Sequence, residues 1–222
     1  MFREMAERKL TPREEFDKAL AEHSAAFGVA LDEDARARLC DYFEAVAHWN
    51  ARLHLVAPCA PAEFATRHVL ESLLALRFIE EGASFVDVGS GAGLPAIPCL
   101  VARRDVSATL VESSHKKAVY LRETLRDLGL NERARVVAER FERVKPPAAD
   151  ALTCRALERF TEVLPALVEW STGVPLLLLF GGDTLRERLE KLPVSFDQKL
   201  VPTSERRFLF VVRRGVLGRG KV

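Results

Sequence analysis

From residue 12 to about residue 80 the apolar positions recur at helical spacing, and nothing in the stretch alternates as a strand does. TPREEFDKALAEHSAAFG runs from a Thr-Pro start to a glycine stop. LDEDARARLCDYFEAVAHWNARL has an acidic beginning and an apolar stripe of Leu39, Phe43, Val46, Trp49 and Leu53. APAEFATRHVLESLLALRFIEEG predicts a third helix that ends at Gly82. After Gly82 the period changes. SFVDVG, SATLVES, ARVVAE, ADALTCRA and VPLLLLF read as short buried strands. Helical stretches follow four of them: PAIPCLVARR, HKKAVYLRETLRDLGL, ERFTEVLPALVEW and GDTLRERLEKL. SFDQKLV and RRFLFVVRR are late strands joined by PTSE, with no helix between them, so they should form an antiparallel hairpin at one edge.

Strand–helix alternation predicts an α/β fold, a Rossmann-like and mostly parallel sheet with helices on both faces. With the edge hairpin added, this is the layout of class I methyltransferases. Two regions are expected: an N-terminal helical region over 1–81 and a cofactor-binding domain over 82–222. The 222 residues suffice for both. No apolar run is long enough to cross a membrane, and MFREMAERKL lacks the apolar core of a signal peptide. Cys40, Cys59, Cys99 and Cys154 have neither CxxC spacing nor a histidine cluster, so no metal site is expected and a reducing cytoplasm suits the chain. A formal net charge of +1 leaves nucleic-acid binding to local patches.

The densest chemical signal is SFVDVGSGAGLPAIP, residues 84–98: a buried strand, a glycine turn at Gly89, Gly91 and Gly93, then a helix opened by Pro95. The pattern Gly91-Ala-Gly93-Leu-Pro-Ala96 also satisfies a dinucleotide fingerprint. The competing reading is S-adenosylmethionine. Here Asp87 ends the strand and could meet an ammonium group, and Pro95 and Pro98 remove two amide donors that a phosphate cradle would use. Glu112, at the tip of the next strand, could accept both ribose hydroxyls of either ligand. The late hairpin favours the methyl donor, since it is not the usual dinucleotide-domain layout.

The motifs AHWNARLHLVA, RHVLESL, DVGSGAGLPAIP, LVESSHKKAVYLRE, the RFE of AERFERV and the CRA after the fourth strand make the resemblance specific. The chain resembles the bacterial small-subunit (16S) ribosomal RNA guanine-N7 methyltransferases, also called glucose-inhibited division protein B or ribosomal RNA small subunit methyltransferase G. The resemblance covers nearly the whole chain. It implies cofactor contacts at Gly89, Leu94, Phe141, Glu142 and Arg155. Phe141 is expected over the adenine face. Arg155 is expected on a cofactor carboxylate or an RNA phosphate, against a plain ion pair with Glu158 or Glu162. The implied partner is ribosomal RNA or the small subunit, met by a cytoplasmic monomer.

Guanine N7 carries a free lone pair, so no general base is required and positioning does the catalytic work. Arg155, Lys116 and Arg122 are the candidates for positioning the acceptor base. Basic clusters at Lys116, Lys117, Arg122 and Arg126, at Arg133, Arg135, Arg140, Arg143 and Lys145, and at Arg213, Arg214, Arg219 and Lys221 are candidate RNA contacts. A cytosine-C5 mechanism would need a cysteine nucleophile, with Cys154 and Cys59 as candidates, though a small buried residue is the plainer reading of Cys154. His48, His54 and His68 read as surface or core polar residues.

The sequence departs from the family at three places near the expected substrate mouth. His54-Leu55-Val56-Ala57 stands for Asn-Leu-Thr, Glu71 for an aspartate, and Phe180 for a lysine before Gly181. The alternative function is therefore a catalytically altered relative that binds cofactor and RNA in ribosome assembly, or one that methylates a different base.

Overall fold

Thr11 caps α1 (Pro12–His23) by accepting from Glu14 N–H, while the Glu14 carboxylate accepts from Thr11 N–H, so each satisfies a donor the helix start leaves open. A 3-10 turn over Ser24–Phe27 then ends on left-handed Gly28, where the sequence places its stop. Asp32 caps α2 (Glu33–Leu53), which closes on left-handed His54. The computed structural model describes residues 8–155 and 160–214 of the chain.

The third stretch is not the single regular helix that its pattern predicts. It comprises α3 (Pro61–Phe64), a π turn (Ala65–Leu70), α4 (Glu71–Leu73) and a 3-10 turn (Leu74–Arg77). Side chains compete for its carbonyls: Thr66 Oγ1 donates to Ala62 O and Glu63 O, Ser72 Oγ to His68 O, and Arg155 to Arg67 O and His68 O. Such bonds loosen the regular ladder, and widened turns of this kind gather at functional sites.

Seven strands follow: β1 (Ser84–Val88), β2 (Ser107–Val111), β3 (Ala134–Val137), β4 (Ala151–Arg155), β5 (Leu176–Gly181), β6 (Phe196–Leu200) and β7 (Phe208–Arg213). Their spatial order is β3-β2-β1-β4-β5-β7-β6. The pairs among β1 to β5 are parallel, whereas β7 runs antiparallel to both β5 and β6. The expected hairpin is present, with β7 inserted inside β6. The crossovers carry α5 (Ala96–Ala102), α6 (His115–Asp127), α7 (Phe160–Trp170) and α8 (Asp183–Leu189). Chain order reverses between β1 and β4, which opens a crevice at the carboxyl ends of those strands.

Two cores cover the two faces. Phe85, Leu110, Leu178 and Phe180 join α5, α6 and the early helices through Phe16, Leu39 and Tyr42. Val86, Val88, Leu152 and Cys154 join α7 and α8 through Leu164, Leu167 and Leu185 on the other face. The alternation along each strand sorts residues between these cores. Trimming a fully buried leucine such as Leu110 to alanine costs about 2–5 kcal/mol in cores of this kind. The helices before residue 82 thus share a continuous core with one face of the sheet. Among the described residues no helix is long and apolar enough to cross a membrane, and no group of His, Cys, Asp or Glu could hold a metal ion.

Candidate active site

The loop after β1 is shaped by its glycines. Gly93 has φ +89°, and a Cβ there would lie 2.4 Å from Ile97 Cδ1. The missing Cβ lets the loop pack closely on the following helix. Gly91 has φ +53°, and a Cβ there would meet only Gly89 O, at an ordinary contact distance of 3.8 Å. Its N–H donates to Glu112 Oε2 at 2.9 Å. The other Glu112 oxygen accepts from Ser114 N–H at 2.8 Å. Each carboxylate oxygen keeps acceptor capacity, so Glu112 can still take a pair of hydroxyls. Pro95 is the N-cap of α5 instead of its first helical residue, and the Leu94–Pro95 peptide is cis. Tyr42 of α2 and Tyr120 of α6 both donate to Ala92 O, at 3.0 and 2.9 Å.

A cleft of about 400 Å³ opens above this loop. Gly89, Ser90, Gly91, Ala92 and Leu94 form its floor, Glu112, Ser113 and Lys117 one wall, and His68 and Arg155 the other. Leu55, Val56 and Ala57 complete its lining. Another cavity, of about 580 Å³, lies at the amino ends of the strands, where Gly82, Asp150, Pro175, Arg213 and Arg214 line it. Larger size does not make it the site, because open parallel sheets bind ligands at the carboxyl ends.

Asp87 lies beneath the loop, fully buried. Oδ1 accepts from Thr153 Oγ1 at 2.7 Å, while buried Oδ2 has no hydrogen-bond partner among the described residues. Burial pushes the carboxyl up to about 7, with repulsion from Glu112 adding to it and the Ser90 and Thr153 hydroxyls opposing it. An orphaned buried carboxylate oxygen next to the cleft fits a cationic group such as an ammonium.

Arg155 ends β4 and is fastened to the π-turn segment. It donates to Arg67 O at 2.6 Å, to His68 O and Ser72 Oγ at 3.3 Å each, and lies 3.4 Å from His68 Nδ1. Buried Glu71 pairs with it at 3.5 Å and with Arg207, in the β6–β7 turn, at 2.9 Å. The second contact is an ion pair too oblique for a hydrogen bond. The Arg155 guanidinium stands 5.8 Å from the Phe180 ring centroid. So the Phe180 departure fills a buried place beneath Arg155, and Arg207 brings a cation to Glu71 from elsewhere. Glu158 lies outside the described residues, as do Arg219 and Lys221.

Several expected site residues sit apart from the cleft. The Phe141 ring is buried against Trp170, 5.6 Å between centroids, and is not offered to an adenine there. Glu142 is exposed beside it in the turn Phe141–Arg143, at the end of β3 but off the cleft wall. Lys116 is exposed and off the wall, and its neighbour Lys117 lines it instead. Arg122 turns away to donate to Val136 O. Arg133 is spent on Leu100 O, Arg103 O and Val106 O, and Arg214 on Val168 O and Ser171 O, so both anchor backbone.

Cys154 faces the other core, with burial pushing its thiol well above the ordinary value, so a cysteine nucleophile does not stand at the cleft. His68 is the residue whose placement differs most from its sequence reading. It lines the cleft, and burial together with Arg155 and Arg67 holds its imidazole down to about 4.

A family model described as "GidB: rRNA small subunit methyltransferase G" matches residues 35–204. A "Ribosomal RNA small subunit methyltransferase G" of Sorangium cellulosum is 39% identical over 187 residues, covering 81% of this chain and 76% of its own. One from Xanthomonas campestris is 43% identical over 168 residues, covering 75% and 78%. Among solved structures, cofactor-bound Rv0187 from MTB superposes with a TM-score of 0.60 at 16% identity, covering 93% of this chain and 99% of its own. A SAM-dependent methyltransferase from Aquifex aeolicus superposes with a TM-score of 0.54 at 16% identity, covering 68% and 93%. Sheet order, glycine loop and sequence matches agree: this chain belongs to the rRNA small subunit methyltransferase G family.

Proposed function

We propose that the protein transfers the methyl group of S-adenosylmethionine to N7 of a guanine in small-subunit ribosomal RNA, as a cytoplasmic monomer. The observation that carries the reading is the cleft at the carboxyl ends of β1, β2 and β4, built from the family's own motifs. When bound, the cofactor supplies an electrophilic methyl group on a sulfonium. Glu112 would take its ribose hydroxyls, and the backbone of Gly89 and Gly91 would approach its amino-acid tail. Asp87 would stand behind its ammonium. The turn at Phe141 and Glu142 would contribute through backbone, since the Phe141 ring is packed on Trp170.

Attack by guanine N7 needs no proton removed, and the cleft accords with that. His68 is a weak base there, and Arg155 and Lys117 are cations. What the residues do is orient and exclude water: Arg155 stiffens one wall, and Leu55, Val56 and Ala57 add apolar lining. Incubation with methyl-labelled cofactor and either deproteinised ribosomal RNA or small subunits, followed by mapping of the modified base, tests the reading. Label at a guanine N7 is expected.

A second reading rests on Phe180, which removes a lysine that the family carries at this mouth. In that reading the protein binds cofactor and RNA during assembly without turnover, and the same assay would find bound RNA without label.

A further inference from the structure

His68 stands on the π turn, in tilted contact with Phe64 at 5.1 Å between ring centroids. Its Nδ1 faces Nη2 of Arg155 at 3.4 Å. A guanidinium has only donors to give, so Nδ1 must accept and the ring proton resides on Nε2. The groups that act on the ring come from its own segment, from β4 and from the β6–β7 turn. Burial leads, Arg155, Arg67 and Arg207 also disfavour a second proton, and Glu63 opposes them. The imidazole is therefore neutral across the physiological range, with its tautomer set by its neighbour. With Nδ1 engaged, Nε2–H is the polar group that this side chain keeps for a ligand.

The position of His68 in the cleft gives that donor a target. Glu112 follows β2 and Arg155 ends β4, with β1 between them, so the two walls are separated by two strand spacings, about 10 Å. With the cofactor's ribose at Glu112 and its amino-acid tail over Gly89 and Gly91, its sulfonium methyl lies toward the β4 wall, so the acceptor purine meets that methyl on the side where His68 stands. The group next to N7 on a purine's outer edge is O6 in guanine, an acceptor, and an amino group in adenine, a donor. A donor of fixed tautomer favours the first and opposes the second.

We propose that His68 is a specificity-determining residue that donates through Nε2–H to O6 of the target guanine. The proposal rests on the methyltransferase reading above. Its test pairs His68→Phe, which keeps a ring against Phe64 and removes the donor, with His68→Gln, which returns an amide N–H near the place of Nε2. Each variant is compared with the unaltered protein for cofactor affinity by calorimetry and for methyl transfer. Transfer is measured to RNA carrying either guanine or 2-aminopurine, which lacks O6, at the mapped position.

Expected are a fall in kcat/KM of about 10- to 50-fold for His68→Phe on guanine RNA and substantial recovery in His68→Gln. Cofactor affinity should stay within about twofold, and His68→Phe should lose most of the preference for guanine over 2-aminopurine. Nitrogen-15 shifts of His68 should report the Nε2–H tautomer without titration between about pH 5.5 and 8. Four outcomes overturn the proposal: undiminished transfer in His68→Phe, a loss of cofactor affinity that tracks the loss of activity, an unchanged preference for guanine, or a His68 that titrates in that range. If the unaltered protein binds cofactor yet labels no RNA, the enzymatic reading itself fails and takes the proposal with it.

Discussion

The two walls of the cleft are held by different physics. On the β2 side, Glu112 is gripped by the N–H groups of Gly91 and Ser114, and the loop carbonyl at Ala92 by two phenols. On the β4 side, three charged side chains from distant parts of the chain meet: Arg155, Glu71 and Arg207. The first wall uses backbone amides and two phenols, with little reliance on charge pairing. The second depends on one buried carboxylate balancing two cations. Removing a single group should therefore hurt the second wall far more than the first.

Glu71→Ala should produce the largest effect. It leaves two guanidiniums without their shared anion, and breaking a buried pair costs about 3–5 kcal/mol. Glu44→Ala, which removes one exposed partner of Arg13, should cost less than about 1 kcal/mol. Urea unfolding of both variants at neutral pH would measure the difference. Equal losses would mean that the β4 wall is not an electrostatic construction.

Asp87→Asn should come next, and with opposite signs for stability and binding. A carboxyl with its folded value raised to about 7 holds a proton more tightly when folded than when unfolded. Its contribution to stability therefore falls as pH rises from about 4 to 7 and levels off above that. The asparagine keeps the Thr153 partner and escapes the penalty. It should gain roughly 2–4 kcal/mol at pH 8 relative to the parent, with the gain vanishing toward pH 4. Cofactor affinity should fall, because the ammonium loses its counter-charge. Melting curves across pH and calorimetry at pH 8 check both halves. A variant that is destabilised at pH 8 would contradict the buried-charge account.

Tyr42→Phe should be the mildest. Ala92 O keeps the Tyr120 hydroxyl, so about 1 kcal/mol of stability is lost and cofactor binding weakens by about fivefold. A larger drop in affinity than in stability would mark the loop, not the core, as what Tyr42 serves.

The same contrast explains what could be read from the sequence. The strands and their alternation with helices, the edge hairpin and the glycine loop follow from local patterns: apolar runs, glycine spacing and caps at Thr11 and Asp32. Glu112 follows from its place at a strand tip. The β4 wall was much less legible, because its parts lie far apart in the chain: Glu71, Arg155 and Arg207 meet only after the sheet has formed. A signal for His68 existed in RHVLESL. His68 and Ser72 are four apart, with Glu71 between, and all three meet Arg155. Regular helical spacing concealed it, since the π turn that redirects this segment comes from carbonyls claimed by Thr66, Ser72 and Arg155. Phe141 misled in the other direction. An aromatic ring after a strand suits a base-stacking role, yet this one is buried in T-shaped contact with Trp170, nearly thirty residues onward.

Tyr42 lies fifty residues before the carbonyl it holds, and Tyr120 twenty-eight after it. Transplanting residues 82–214 into another scaffold would carry over every glycine of the loop and Glu112 but only one of the two hydroxyls that aim the Ala92 peptide. Such a hybrid would display the full fingerprint and still hold its ligand loosely. A designer borrowing this cradle must bring α2 along with it.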